Sequence, residues 1–232
     1  MLGAYLYHGM IPWDDDVDVF VTRPDLSHIE NILKDDPRFR VTVVWDWYVA
    51  CKQIRFRLVD NNNPTFIDLF PLDWVEDQPD VAWEKATRAR AKFVEDIRAQ
   101  FSDTEWPTKG YLYDSSPLTA QIETLLEKEQ EELQSSVRGV TSSDSATCLV
   151  RGIENIDEAR STGPYPRDEW LSTIDMRYAD FEVPSPQCWK QYLTRLYGDF
   201  LQIPHDINAH EHVDTGYISR PESIKTLTQY VN

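Results

Sequence analysis

The sequence predicts an α+β chain, with strands concentrated in about the first 75 residues and helices dominating beyond about residue 80. Three observations carry this. Short apolar, β-branched runs recur at 17–21, 39–45, 52–58 and 65–70, separated by turn-forming clusters. Apolar residues at helical spacing follow at 82–101, 118–134 and 186–197. Hydrophobic residues make up 41% of the 232, including eight Trp, eleven Tyr and nine Phe, which is enough for a sizeable core. The whole reads as a single domain, 1–232, with a core at about 1–75 and a helical C-terminal portion at about 80–232.

Taken in order, Thr22-Arg23-Pro24 opens a helix whose Leu26, Ile29, Ile32 and Leu33 share a face, and proline in the first turn suits that start. Phe39 to Trp45 reads as a second strand. Residues 52–58 alternate, with Ile54, Phe56 and Leu58 on one side and Arg55 and Arg57 on the other. The Asn61-Asn62-Asn63-Pro64 turn leads to a return strand, Thr65 to Phe70, closed by Pro71. Asp73, soon after a proline, reads as a turn residue. Trp83, Ala86, Phe93, Ile97 and Phe101 form the apolar stripe of the next helix, and Lys85, Arg88, Arg90 and Lys92 form its basic face. The acidic run from Glu127 to Glu132 reads as a solvated helix face. Trp189, Tyr192, Leu193, Leu196 and Tyr197 define a last helix, for which Gly198 is the expected stop.

The segment Pro12-Trp13-Asp14-Asp15-Asp16-Val17-Asp18-Val19-Phe20 carries most of the chemical information. Four carboxylates within five residues run directly into a strand-like segment. A charge inside a buried strand is costly unless it is paired or metal-bound. Asp68, flanked by apolar neighbours in the return strand, repeats the anomaly. Hard divalent cations such as Mg²⁺ take oxygen ligands, often one or two carboxylates together with substrate phosphates. Asp16 and Asp18 are therefore candidate metal ligands at a phosphate site, whereas isolated acidic turns are usually solvated caps.

Composition narrows the partners. The net charge of −17, from 23 basic and 40 acidic residues, argues against a nucleic-acid ligand. It equally disfavours an anionic membrane surface. No apolar run approaches the roughly eighteen residues of a transmembrane helix. Cys51, Cys148 and Cys188 are too scattered for a disulfide framework or a zinc cluster. The acidic motif lies so near residue 1 that an N-terminally truncated domain is expected.

Leu2-Gly3-Ala4 together with Gly9-Met10-Ile11-Pro12-Trp13-Asp14-Asp15-Asp16-Val17-Asp18-Val19 resembles the signature of the LicD family of phosphocholine and alcohol-phosphate transferases, relatives of the fukutin-type ribitol-phosphate transferases. Phe66-Ile67-Asp68-Leu69-Phe70-Pro71 resembles its second acidic motif, and Val183 to Phe200 its closing segment. The resemblance implies a nucleotidyltransferase-like fold, a small mixed sheet flanked by helices. It implies Mg²⁺ or Mn²⁺ held by Asp16, Asp18 and Asp68 as the catalytic residues, with Gly3 in the donor-binding segment. The implied donor is a CDP-linked alcohol such as CDP-choline, and the implied acceptor a hydroxyl of a glycan or polyol-phosphate polymer. The implied compartment is the Golgi lumen for a eukaryotic enzyme and the cytoplasm for a bacterial one. The chain departs from the family pattern at Leu6-Tyr7, where Arg-His is usual.

Arg55 and Arg57 share a strand face beside Asp68 and either clamp a donor diphosphate or lie on an exposed surface. Trp13, Trp45, Trp47 and Tyr48 either line a cage for a choline cation or fill the core. His205, His210 and His212 either contact phosphate or are plain loop residues. Two other readings compete: a metal-dependent glycosyltransferase and an inactive or Ca²⁺-stabilised scaffold.

Overall fold

Strand β4 (Phe66–Val75) is the axis of a mixed sheet that has seven strands among the described residues. The computed structural model describes residues 1–46, 49–60, 62–103, 111–113, 116–136, 139, 143–157, 162–203 and 220–229. β1 (Asp18–Thr22) lies parallel to β4, with Asp18 in register with Asp68. β2 (Phe39–Asp46) and β3 (Cys51–Leu58) form a hairpin, and β3 pairs antiparallel with the first half of β4. β5 (Tyr111–Tyr113) adds to the outer edge of β2. β6 (Cys148–Arg151) pairs with the second half of β4 and carries β7 (Tyr165–Pro166). Leu72 is in register with both Thr22 and Arg151, so β1 and β6 flank β4 on opposite sides. The expected α+β architecture is thus observed.

The helices cover one face. α2 (Arg23–Leu33) begins where the Thr22 hydroxyl accepts the Asp25 backbone N–H, a normal N-cap. Its Leu26 packs with Val21, Ile54 and Leu69. α3 (Pro79–Gln100) and α4 (Pro117–Ser136) place Ala86, Phe93, Ile97, Ile122 and Leu126 against Trp45, Val75 and Val150. Side chains alternate across a strand, so these sheet residues leave Asp18, Phe20, Arg55, Asp68, Phe70 and Arg151 to the other face.

That second face is partly roofed by the C-terminal part. α5 (Arg167–Leu171) and α6 (Trp189–Tyr197) bring Trp170 and Tyr192 against Phe20, Leu72 and Tyr165. β8 (Thr173–Tyr178) and β9 (Phe181–Pro186) form a separate hairpin, which lies on α1 (Leu2–Tyr7). Ala4, Met176, Trp189 and Leu193 bury one another there. The first and last segments of the family resemblance therefore meet in space. Gly198, at φ 68°, ends α6 as expected, and α7 (Pro221–Thr228) is the last described helix. No described helix is long and apolar enough to cross a membrane.

Three local readings are corrected. β4 does not stop at Pro71 but runs on to Val75. The Pro71 carbonyl accepts the Gly152 N–H at 2.9 Å on the edge where β3 has ended and β6 begins, so the missing N–H of Pro71 falls at a gap in the ladder. Asp73 is a strand residue and not a turn; its carboxylate takes two bonds from Arg23, from Nε at 2.8 Å and Nη2 at 2.7 Å. The acidic stretch of α4 is not wholly solvated, because Glu129 is 2% exposed and paired with Lys92 of α3.

Candidate functional site

The parallel pairing of β1 with β4 builds the site. Residues in register in neighbouring strands point to the same face, so Asp18 and Asp68 stand side by side. The Asp68 N–H donates to the Val17 carbonyl at 2.9 Å and fixes that registration. Asp16 lies just before β1 in irregular chain, so strand alternation is not what orients it. Its carboxylate still reaches the other two: Asp16, Asp18 and Asp68 each bring an oxygen within 4.8 Å of the others. Asp68 is buried, Asp18 exposed and Asp16 between them, so the cluster is closed below and open above. Asp14, Asp15 and Asp16 also bring oxygens within 4.8 Å of one another. In that turn the Asp14 N–H donates to the Ile11 carbonyl and the Asp15 N–H to the Asp14 carboxylate.

The two sequence-predicted arginines share the Asp68 face but do different things. Arg55, opposite Asp68 in register, is 6% exposed and donates from Nε to Asp68 Oδ1 at 3.0 Å. Its guanidinium lies 3.8 Å from the centre of the Phe66 ring. It is therefore part of the cluster's charge balance and not a surface residue. Arg57 donates to the Asn63 carbonyl at 3.1 Å and so engages the β3–β4 turn. Gly3 has a close structural neighbour, since a Cβ there would stand 2.3 Å from the Gly9 carbonyl oxygen. This approach, with the Gly9 N–H donating to the Gly3 carbonyl at 3.3 Å, folds α1 back toward the acidic turn.

Sequence reasoning missed the roof of the site. Arg151 of β6 projects on the Asp68 face, with its guanidinium 4.6 Å from the Phe70 ring centre and 5.2 Å from that of Phe20. Phe20 in turn packs with Tyr165, Trp170 and Tyr192 in one aromatic cluster at ring separations of 4.4–6.2 Å. Burial, with Tyr165 beside it, pushes the Tyr192 phenol above its ordinary range; Asp18 adds to this and Arg151 opposes it. Tyr192 is therefore a neutral hydroxyl at pH 7. The only sequence signal for Arg151 was the short apolar run Cys148-Leu149-Val150 that precedes it.

Beneath β4, Arg23 bridges Asp73 and the buried Glu154, and Gln130 donates to Glu154 at 3.2 Å. Burial raises the Glu154 carboxyl, but Arg23 more than offsets this and holds it below the ordinary range. Of the proposed cage residues, Trp45 is fully buried and donates from Nε1 to Glu123 at 2.9 Å, so it is a core residue. Trp13 packs edge-on against Tyr7 with ring centres 5.8 Å apart. Trp47, Tyr48, His205, His210 and His212 lie outside the described residues.

Fold and site together define an α+β domain with a carboxylate cluster at the start of two parallel strands and arginines on the same face. Residues 1–108 match the family described as LicD/FKTN/FKRP, nucleotidyltransferase domain. The family resemblance read from the sequence is thereby borne out. The chain is also 23% identical over 239 residues to a Haemophilus influenzae protein named lipopolysaccharide cholinephosphotransferase LicD, covering 94% of this chain and 86% of that one. No solved structure matches.

Proposed function

We propose that the chain is a metal-dependent phosphotransferase that moves a phospho-alcohol group from a CDP-linked donor to a hydroxyl of a glycan or polyol-phosphate acceptor. The observation that carries this is the convergence of Asp16, Asp18 and Asp68 beside a buried arginine. The name of the Haemophilus protein, a cholinephosphotransferase acting on lipopolysaccharide, supports the transferred group and the acceptor class.

The donor set fits a hard divalent cation. Three carboxylates offer oxygen ligands at one point, and two of them are open to solvent on one side, as a cation that also takes substrate oxygens requires. Asp16, Asp18 and Asp68 would hold Mg²⁺ or Mn²⁺, which when bound neutralises charge on the phosphate oxygens. The protein's own contribution is positioning, because phosphoryl transfer asks for alignment and charge neutralisation more than for covalent help. Arg55 holds Asp68 in place and keeps a cation beside the cluster. The acceptor hydroxyl attacks the phosphorus bearing the alcohol, in line with the departing CMP.

A donor panel tests this. CMP release from CDP-choline or CDP-ribitol, lost in Asp18→Asn with the fold intact, is the expected result. Consumption of UDP- or GDP-sugars in place of CDP-alcohols would make the glycosyltransferase reading correct. Absence of turnover on every donor would favour the scaffold.

A further inference from the structure

We propose that Arg151 is a second phosphate-binding arginine of this site, acting with Arg55 to hold the two phosphates of the donor across the carboxylate cluster. The proposal deepens the donor reading above and rests on it. Its basis is an alternation along one face of β4: Phe66, Asp68, Phe70. Each phenylalanine carries a guanidinium, Arg55 on Phe66 at 3.8 Å and Arg151 on Phe70 at 4.6 Å. The acid therefore stands between two cations, each held on an aromatic face.

Arg55 lies over Phe66 and bonds Asp68, whereas Arg151 lies over Phe70 and Phe20, so the two guanidiniums flank the carboxylate along the strand. Paired guanidiniums suit a diphosphate, because each forms charge-assisted hydrogen bonds of about 2.8 Å to phosphate oxygens. Arg57, the partner that sequence spacing suggested for Arg55, is instead engaged with the Asn63 carbonyl at the far end of the hairpin. Arg151 comes from a strand more than 80 residues further along the chain, yet register with Leu72 puts it on the correct face. Phe20 at 5.2 Å fixes its guanidinium from the β1 side, one same-face position beyond Asp18. A planar guanidinium matches phosphate geometry in a way that the flexible point charge of a lysine does not reproduce.

The test is calorimetric binding of inorganic pyrophosphate at saturating Mg²⁺ to wild type, Arg151→Gln and Arg151→Lys, with melting curves for each. The expected result is a loss of roughly tenfold or more in affinity for Arg151→Gln, with Arg151→Lys in between. If Arg151→Gln does not fold, the lysine variant, which keeps the stem and the charge, carries the test with a loss of about threefold or more. Wild-type affinity in the variant that folds, or no pyrophosphate binding by wild type, overturns the proposal. Turnover keeps the two readings apart. Arg151-dependent pyrophosphate binding with no turnover of any CDP-linked donor sinks the donor assignment and leaves the phosphate site standing. Turnover of CDP-linked donors with an unchanged donor KM in the Arg151 variants does the reverse.

Discussion

Replacing Arg55 with methionine leaves a side chain of similar reach without its charge. The Arg55 side chain is 8% exposed and that of Asp68 is 5% exposed. Without the guanidinium, the Asp68 carboxylate remains buried with two other carboxylates within 4.8 Å. Breaking a buried pair by removing one partner costs about 3–5 kcal/mol, because the remaining charge is uncompensated. For a chain of 232 residues each kcal/mol is worth about 2–4 °C in Tm, so the expected drop is about 6–20 °C. A divalent cation on the three aspartates would replace the lost positive charge, so Mg²⁺ should return part of the stability in Arg55→Met and much less in wild type. Urea unfolding in EDTA and in excess Mg²⁺ measures both quantities. A loss below about 1 kcal/mol in EDTA, or a gap that does not narrow with Mg²⁺, would refute the electrostatic account of the cluster.

Other expectations concern the scaffold. Glu154 is held below its ordinary pKa in the folded state, so its contribution is present above the unfolded carboxyl value and is lost as pH falls through the folded one. The urea midpoint of wild type should therefore exceed that of Glu154→Gln at pH 7, and the difference should shrink steadily below about pH 4.5. Gly152→Ala places a Cβ 2.5 Å from Glu154 Oε2 and 2.6 Å from Arg23 Nη2, so it should cost about 1–3 kcal/mol by denaturant titration. Phe93→Ala empties a fully buried position in the α3–α4 core and should cost about 3–5 kcal/mol in the same assay.

Local pattern made much of the molecule legible. The alternation of Ile54, Arg55, Phe56 and Arg57 defined β3 and its faces, and the capped Thr22-Arg23-Pro24 start located α2. The acids in β1 and β4 stood out because a carboxylate amid β-branched residues is unfavourable without a partner. What escaped notice depended on pairing over long separations. Arg23 meets Asp73 across 50 residues and Glu154 across 131, and neither distance leaves a local trace. Arg151 sits in a four-residue strand whose direction is set by its register with β4. The β8–β9 hairpin was hidden by prolines at 184 and 186, which pattern reading treats as breakers. Pro71 misled for the same reason, since a strand tolerates proline wherever the ladder has a gap.

The central claim is that Asp16, Asp18 and Asp68 hold one divalent cation site together. Manganese binding, followed by electron paramagnetic resonance on wild type, Asp16→Asn and Asp18→Asn, tests it most directly. The account predicts saturable binding in wild type that weakens by roughly tenfold or more in either variant while the circular dichroism spectrum is kept. Manganese affinity that is unchanged in both variants, or absent from wild type, would contradict it.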